Sequence, residues 1–148
     1  RIHPCDDSGE ASKILRDERR IRTLQVSRSF VIDHSLAQFF SNELRSYAVD
    51  NEELFDDLMH RRAIVVCCAD PTIILQRLHQ RAARGVERVA HLDQSDEALL
   101  ELSRMNLRRW LDYGEFLASR GVPVLVLDLE SQLDVSKGKL RDFVRSLT

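Results

Sequence analysis

The run of seven apolar residues Ala63–Ala69 (AIVVCCA) constrains the fold of this chain more than any other segment. A short apolar run that is followed at once by Asp70 and Pro71 predicts a strand that ends abruptly. Because no polar residue interrupts the run, we expect a central parallel strand that is covered on both faces. Its adjacent cysteines, Cys67 and Cys68, are then expected to be buried as small apolar side chains.

Two further apolar runs, Ser29–Asp33 (SFVID) and Pro123–Leu127 (PVLVL), also predict buried strands. Segments in which apolar residues recur at helical spacing lie before, between and after the strands. The predicted helices cover Lys13–Gln25, Leu36–Tyr47, a segment after Asp50 or Asn51 that carries Leu54, Phe55, Leu58 and Met59, then Pro71–Ala83, a long segment from Ser95 to Gly121, and Val135–Leu147. Strands that alternate with helices predict an α/β fold, a three-layer parallel sheet with helices on both faces.

Residues at the predicted helix ends support these assignments. Asp70 as the N-cap and Pro71 at the first helical position form a typical helix start. Ser95 can cap the long helix in the same way. Gly85 and Gly121 stand where a helix ends in the left-handed conformation that glycine adopts readily.

Composition excludes several classes of function. The net charge of −2 gives no global basic field, which argues against a specific nucleic-acid partner. No apolar stretch reaches the roughly 18–20 residues that span a bilayer, so no membrane partner is expected. The three cysteines lack metal-binding spacing, and a reducing, cytoplasmic location follows as the default.

Asp33 is the first residue whose position suggests chemistry. A carboxylate at the end of a buried strand can hold Mg²⁺ or its water ligands, although Asp33 can equally do no more than end the strand. The segment Phe30–Ser35 (FVIDHS) resembles the strand-end Asp-Arg-(Ser/Tyr/His) motif of thymidylate kinases and deoxynucleoside kinases, which are P-loop kinases. Asp33 and Ser35 match that motif, and His34 stands where the family carries an arginine. The resemblance implies that Asp33 is catalytic and binds the metal, with His34 and Ser35 beside the phosphates.

Three arginines on a predicted helix form the second group. Arg77, Arg81 and Arg84 are spaced i, i+4, i+7 and so share one helix face, where they can neutralise phosphoryl charge or form a solvated basic stripe. The stretch Val66–Pro71 with the following arginines resembles the strand, Ala-Asp-Pro and paired arginines of the same kinases, whose helix leads into the lid. The resemblance implies that Arg77 and Arg81 are catalytic and that Arg84 and Arg88 bind phosphate.

The last predicted strand supplies a third, weaker match. The segment Arg120–Asp128 resembles the glycine, valine-proline pair and final strand of these kinases. In the family the loop after this strand packs on the donor base, so Asp128 is expected to bind the nucleotide. Trp110 and Tyr113 on the long helix can pack within the domain or against a second copy, which leaves a homodimer open.

Taken together, the resemblance spans roughly residues 20–147 and implies a nucleoside- or nucleotide-kinase-like phosphotransferase that uses ATP and Mg²⁺ on a small-molecule acceptor. Residues 1–12 are expected to be a flexible segment, and residues 13–148 a P-loop-kinase-like domain. The sequence contains no GxxxxGK(S/T) pattern, so activity is expected only with an upstream phosphate-binding loop. With Arg1 as the first residue, the N-terminal part of that domain is expected to be absent.

Two alternatives remain open. One is a degenerate kinase-fold module that binds or scaffolds without catalysis, which the missing loop and His34 favour. The other is a sulfotransferase, because the ending Val126–Leu133 and the helix after it resemble the close of that family.

Overall fold

The apolar runs Ala63–Ala69 and Pro123–Leu127 form parallel strands that pair with each other. The computed structural model describes residues 13–19, 36–85 and 94–147. Within them, β1 (Ile64–Cys68) lies beside β2 (Val124–Asp128), and Val66 is paired with Val126 at the centre. Because the strands are parallel, both of their carboxyl ends lie at one edge. The remaining apolar run, Ser29–Asp33, lies outside the described residues.

Helices make up most of the described chain. In chain order they are α1 (residues 13–19), α2 (Leu36–Phe39), α3 (Ser41–Asp50), α4 (Glu52–Met59), α5 (Pro71–Ala83), α6 (Asp96–Ser119) and α7 (Leu133–Ser146). In the described ranges, none of these helices is both long enough and apolar enough to cross a membrane.

The chain divides into two compact units, Arg1–Leu58 and Met59–Thr148. In the first unit, the single helix predicted for Leu36–Tyr47 is interrupted at Phe40, which separates α2 from α3. The start of α4 agrees with the sequence, because Asn51 Oδ1 accepts a hydrogen bond from Leu54 N at 3.2 Å.

The second unit runs β1–α5–α6–β2–α7. Helix α6 packs against both strands, α7 packs against β2, and α5 packs against α6. The approach of α6 to the sheet is close at Gly114, where an added Cβ would lie 3.3 Å from Val66 Cγ2 and 3.5 Å from Val124 Cγ1. Glycine at this position therefore sets how near the long helix lies to the strands.

The predicted three-layer parallel sheet with helices on both faces is wrong. Helix accounts for 72% of the described residues, and their sheet has only two strands. The prediction fails because α5 packs against α6 and because β1 is not covered on both faces. Val65 is 38% exposed and Cys67 is exposed as well, so the expected burial of Cys67 is also wrong. A uniformly apolar run does not by itself show that both faces of a strand are covered.

Predictions that rest on local chemistry are confirmed. Asp70 Oδ1 accepts a hydrogen bond from Thr72 N at 2.8 Å, and Ser95 Oγ accepts one from Ala98 N at 3.3 Å. Gly85 and Gly121 have φ values of 64° and 80°, the left-handed region that favours glycine at a helix end.

Gly114→Leu is expected to lower the free energy of unfolding by about 1–3 kcal/mol, because the new side chain would collide with Val66 and Val124. Gly138→Leu on α7 is the matched control, since an added Cβ there meets nothing within 4 Å. The control is expected to raise stability by up to about 1 kcal/mol through its better helix propensity. Urea unfolding followed by circular dichroism measures both. Equal effects of the two substitutions would contradict the close approach of α6.

Candidate functional site

The loops that follow the two strands are joined at the carboxyl edge of the pair. Leu129 N donates to Cys68 O at 2.8 Å, which continues the strand pairing by one residue. Asp70 N donates to the side-chain oxygen Glu130 Oε1. The start of α5 is thereby tied to the loop after β2, far away in sequence.

Asp128 organises its own loop. Its Oδ1 accepts from Glu130 N at 2.9 Å and its Oδ2 accepts from Ser131 Oγ at 3.0 Å. Its backbone oxygen accepts from Ser136 Oγ, at 3.2 Å, in the first turns of α7. The Glu130 N–H and then the Ser131 hydroxyl lower the pKa of Asp128. Both carboxylate oxygens therefore already have protein partners, so the geometry gives the residue a structural role whether or not it also meets a nucleotide.

Asp70 is the N-cap of α5. Its Oδ1 accepts hydrogen bonds from the Thr72 hydroxyl and from Thr72 N. These two bonds, in that order, lower the pKa of Asp70, and Arg104 on α6 lowers it further. Asp70, Asp128 and Glu130 give the edge a negative charge.

The Cys68 thiol also lies at this edge. Burial raises the pKa of Cys68, and the neighbouring Asp128 carboxylate raises it further. The Sγ atom donates to Leu127 O at 3.5 Å. Because the thiolate is the reactive form, a raised pKa keeps this cysteine protonated and inert near neutral pH.

Helix α5 runs beyond the strand edge along α6. His79 Nε2 lies 3.0 Å from Asp96 Oδ1, which places the second half of α5 against the first turn of α6. The effect of Arg104 on Asp70 places the start of α5 near a later turn of α6. The two helices are therefore antiparallel. Gly114, which contacts the strands, is about 15 Å further along α6 than Arg104, so the first half of α6 extends past the edge together with α5.

Of the predicted arginine group, Arg77 and Arg81 lie on α5, and Arg84 is its C-cap residue. At 3.6 residues per turn, Arg77, Arg81 and Arg84 fall within about 60° of one another around the helix axis. All three are exposed, whereas Leu78 and Ala82 on the side of α5 that packs against α6 are half-buried. Within the described residues, Arg77 and Arg84 form no ion pair through their guanidinium groups. We call the surface formed by these three arginines the arginine flank.

The other predicted site residues are not brought together with this flank. Asp128 lies at the strand edge, whereas Arg77 is about 9 Å and Arg84 about 20 Å along the α5 axis from Pro71. The predicted residues Asp33, His34, Ser35 and Arg88 lie outside the described residues. The part of the chain that the structure describes holds no group of three or more histidines, cysteines, aspartates or glutamates that could bind a metal ion.

Sequence reasoning missed Glu130 and Arg104. Glu130 contacts Asp70 only because β1 and β2 pair in this register, and no local pattern reveals a contact between residues 60 positions apart. The available signal was weaker: in a parallel pair, polar residues that directly follow both strands meet at one edge.

Comparisons with known proteins add no identification. No protein-family model matches this chain, and neither does any curated protein or solved structure. The resemblance to nucleoside and nucleotide kinases therefore stays a prediction that rests on the sequence motifs.

Asp70→Asn is expected to flatten the dependence of stability on acidic pH, because asparagine keeps the capping oxygen but does not titrate. Folding lowers the pKa of Asp70 below its ordinary value of 3.8, so the carboxylate contributes stability above that pH and loses it as the pH falls through the folded pKa. Urea unfolding from pH 7 down to pH 2 measures the effect. Parallel pH profiles for the two proteins would contradict the role of the charged cap.

Proposed function

We propose that the second unit supplies the phosphate-binding arginines of an ATP-dependent phosphotransferase. In this proposal Arg77, Arg81 and Arg84 bind the phosphates of the nucleotide, and a small molecule accepts the phosphoryl group. The observation that carries the proposal is the arginine flank itself, an exposed set of guanidiniums on one side of a helix that begins at the strand edge. Guanidinium groups match phosphate oxygens in geometry and charge.

The spacing of the flank favours a chain of phosphates over a single phosphate. Arg77 and Arg84 are about 10 Å apart along the helix axis. Arg77 and Arg84 carry like charges on one face, and an anionic ligand that bridges them would offset both. The absence of an ion pair at Arg77 and Arg84, within the described residues, leaves their donors available for such a ligand.

Charge at the strand edge restricts where the phosphates lie. Asp70, Asp128 and Glu130 disfavour an anion at the edge, and their hydrogen bonds already use neighbouring backbone donors. Arg104 and Lys139 offset only part of this negative charge. The phosphates would therefore lie along α5 and not directly against the strand ends. The proposal thus departs from the usual position of ligands in open α/β sheets.

Phosphoryl transfer needs more than these arginines. A backbone cradle with a lysine is the usual means of holding a triphosphate, and no GxxxxGK(S/T) pattern occurs in the 148 residues. Transfer by a protein containing this unit therefore depends on a phosphate-binding loop outside those residues. Asp33 as the Mg²⁺ ligand and His34, Ser35 and Arg88 as phosphate contacts remain part of the proposal. The proposal includes a cytoplasmic location, where ATP is abundant.

A second candidate is a module that binds a nucleotide without catalysis. The observation in its favour is that the carboxylates of Asp70 and Asp128 are used to hold their own loops. Neither is left as an evident base for an acceptor hydroxyl. Both candidates share the arginine flank, and they differ in whether bound ATP is consumed when an acceptor is present.

Titration calorimetry of the 148-residue protein with ATP and Mg²⁺ tests the shared step. We expect binding that weakens as salt is added, because the contacts are ionic. Arg77→Ala and Arg84→Ala are each expected to weaken binding about tenfold, the usual result of removing one charge-assisted hydrogen bond. Arg141→Ala on α7 removes the same charge from another helix and is expected to change the affinity less than about twofold.

The absence of ATP binding by the folded protein would refute the proposal. An equal loss of ATP affinity in Arg141→Ala would also refute it, because binding would then depend on net charge and not on the arginine flank. Preference for a 3′-phosphorylated adenosine nucleotide over ATP would favour the sulfotransferase alternative. Consumption of ATP with a nucleoside acceptor separates the phosphotransferase from the non-catalytic module.

A further inference from the structure

Glu130 reaches from the loop after β2 to the base of α5. Its Oε1 accepts a hydrogen bond from Asp70 N, the backbone of the residue that caps the helix. Glu130 is itself held, because its own N–H donates to Asp128 Oδ1 at 2.9 Å. A chain of hydrogen bonds thus runs from the end of β2, through Glu130, to the N-cap residue of α5.

The anchoring of the base of α5 contributes to the direction of the helix, together with packing against α6 and the contact of His79 with Asp96. From Asp70 to Arg84 the helix is about 20 Å long. A change of about 3° in its direction at Asp70 would move Arg84 by about 1 Å. Misplacement of a binding or catalytic group by about that amount is known to weaken function substantially.

We propose that Glu130 is a positioning residue for the arginine flank. By accepting the Asp70 N–H, it holds α5 in the direction in which Arg77, Arg81 and Arg84 meet the same ligand. The inference rests on the proposed function, because it concerns the binding of phosphates by that flank. Glu130 does not contact the ligand itself.

A different role for Glu130 makes the opposite predictions. Its carboxylate also adds negative charge to the strand edge, and that charge alone would repel a phosphate. If repulsion dominates, neutralising Glu130 should tighten ATP binding, and moving its charge by a small distance should change the affinity for ATP little. If positioning dominates, the hydrogen-bond acceptor matters and the charge does not.

Two substitutions separate these roles. Glu130→Gln removes the charge but keeps an oxygen acceptor at the same distance along the side chain. Glu130→Asp keeps the charge but shortens the side chain by one methylene, which withdraws the acceptor from Asp70 N. Both are small changes at an exposed residue, and circular dichroism checks that each variant is folded.

The experiment is titration calorimetry of ATP with Mg²⁺ into the wild-type protein and both variants at several salt concentrations. We expect Glu130→Asp to weaken binding about fivefold, since only a fraction of the molecules would then hold α5 in the competent direction. Glu130→Gln should stay within about twofold of the wild type. The dependence of affinity on salt should be unchanged in both variants, because the arginines remain; a purely electrostatic role would alter it in Glu130→Gln.

The outcomes distinguish this inference from the proposed function. If the wild-type protein binds ATP and Glu130→Asp binds it with the same affinity, the positioning role is overturned. The phosphate-binding role of the arginine flank would be unaffected by that result. Tighter binding by Glu130→Gln would likewise overturn the positioning role in favour of simple repulsion. Wild-type protein that does not bind ATP at all would overturn both proposals.

Discussion

The parallel pairing of β1 with β2 is the interaction on which the second unit depends. It joins two segments separated by α5 and α6, and its register places Cys68 beside Asp128. The loop after each strand therefore begins at the same edge, where Leu129 bonds to Cys68 and Glu130 bonds to Asp70. The long helix α6 can cross both strands closely because position 114 carries no side chain. The junction between the two loops follows from this pairing, whereas the cap at Asp70 and the spacing of the arginines are local features of the sequence.

The direction of α5 separates negative from positive charge. Acidic side chains collect at the strand edge. Asp70 and Asp128 accept hydrogen bonds within their own loops, and Glu130 accepts one from Asp70 N in the other loop. The arginines lie further out, because α5 continues past the edge along α6 and does not turn back onto the sheet. Under the proposed function, the phosphates would lie along the arginine flank and away from the carboxylates at the strand edge. The orientation of the flank depends in part on how the base of the helix is anchored.

Local chemistry was predictable from the sequence, and long-range packing was not. The caps at Asp70 and Ser95 and the left-handed glycine at Gly121 follow from rules that act within a few residues. Asp70 and Pro71 at its start and Gly85 at its end correctly predict helix α5, but these local signals carry no information that α5 packs against α6. The predicted burial of Cys67 is wrong for the same reason. An apolar run carries no information about which neighbouring element covers each face of the strand. The contact between Glu130 and Asp70 arises only after the strands have paired.

The central claim is that the arginine flank of α5 is the surface that binds phosphates. An amide-resolved nuclear magnetic resonance titration of the isotope-labelled protein with ATP and Mg²⁺ tests it most directly. The account predicts that the largest saturable shifts fall on Arg77, Arg81 and Arg84 and on the neighbouring turns of α5, with smaller shifts at Asp70 and Glu130. Shifts that are absent, or that concentrate on α7 or on the helices of the first unit, would contradict it.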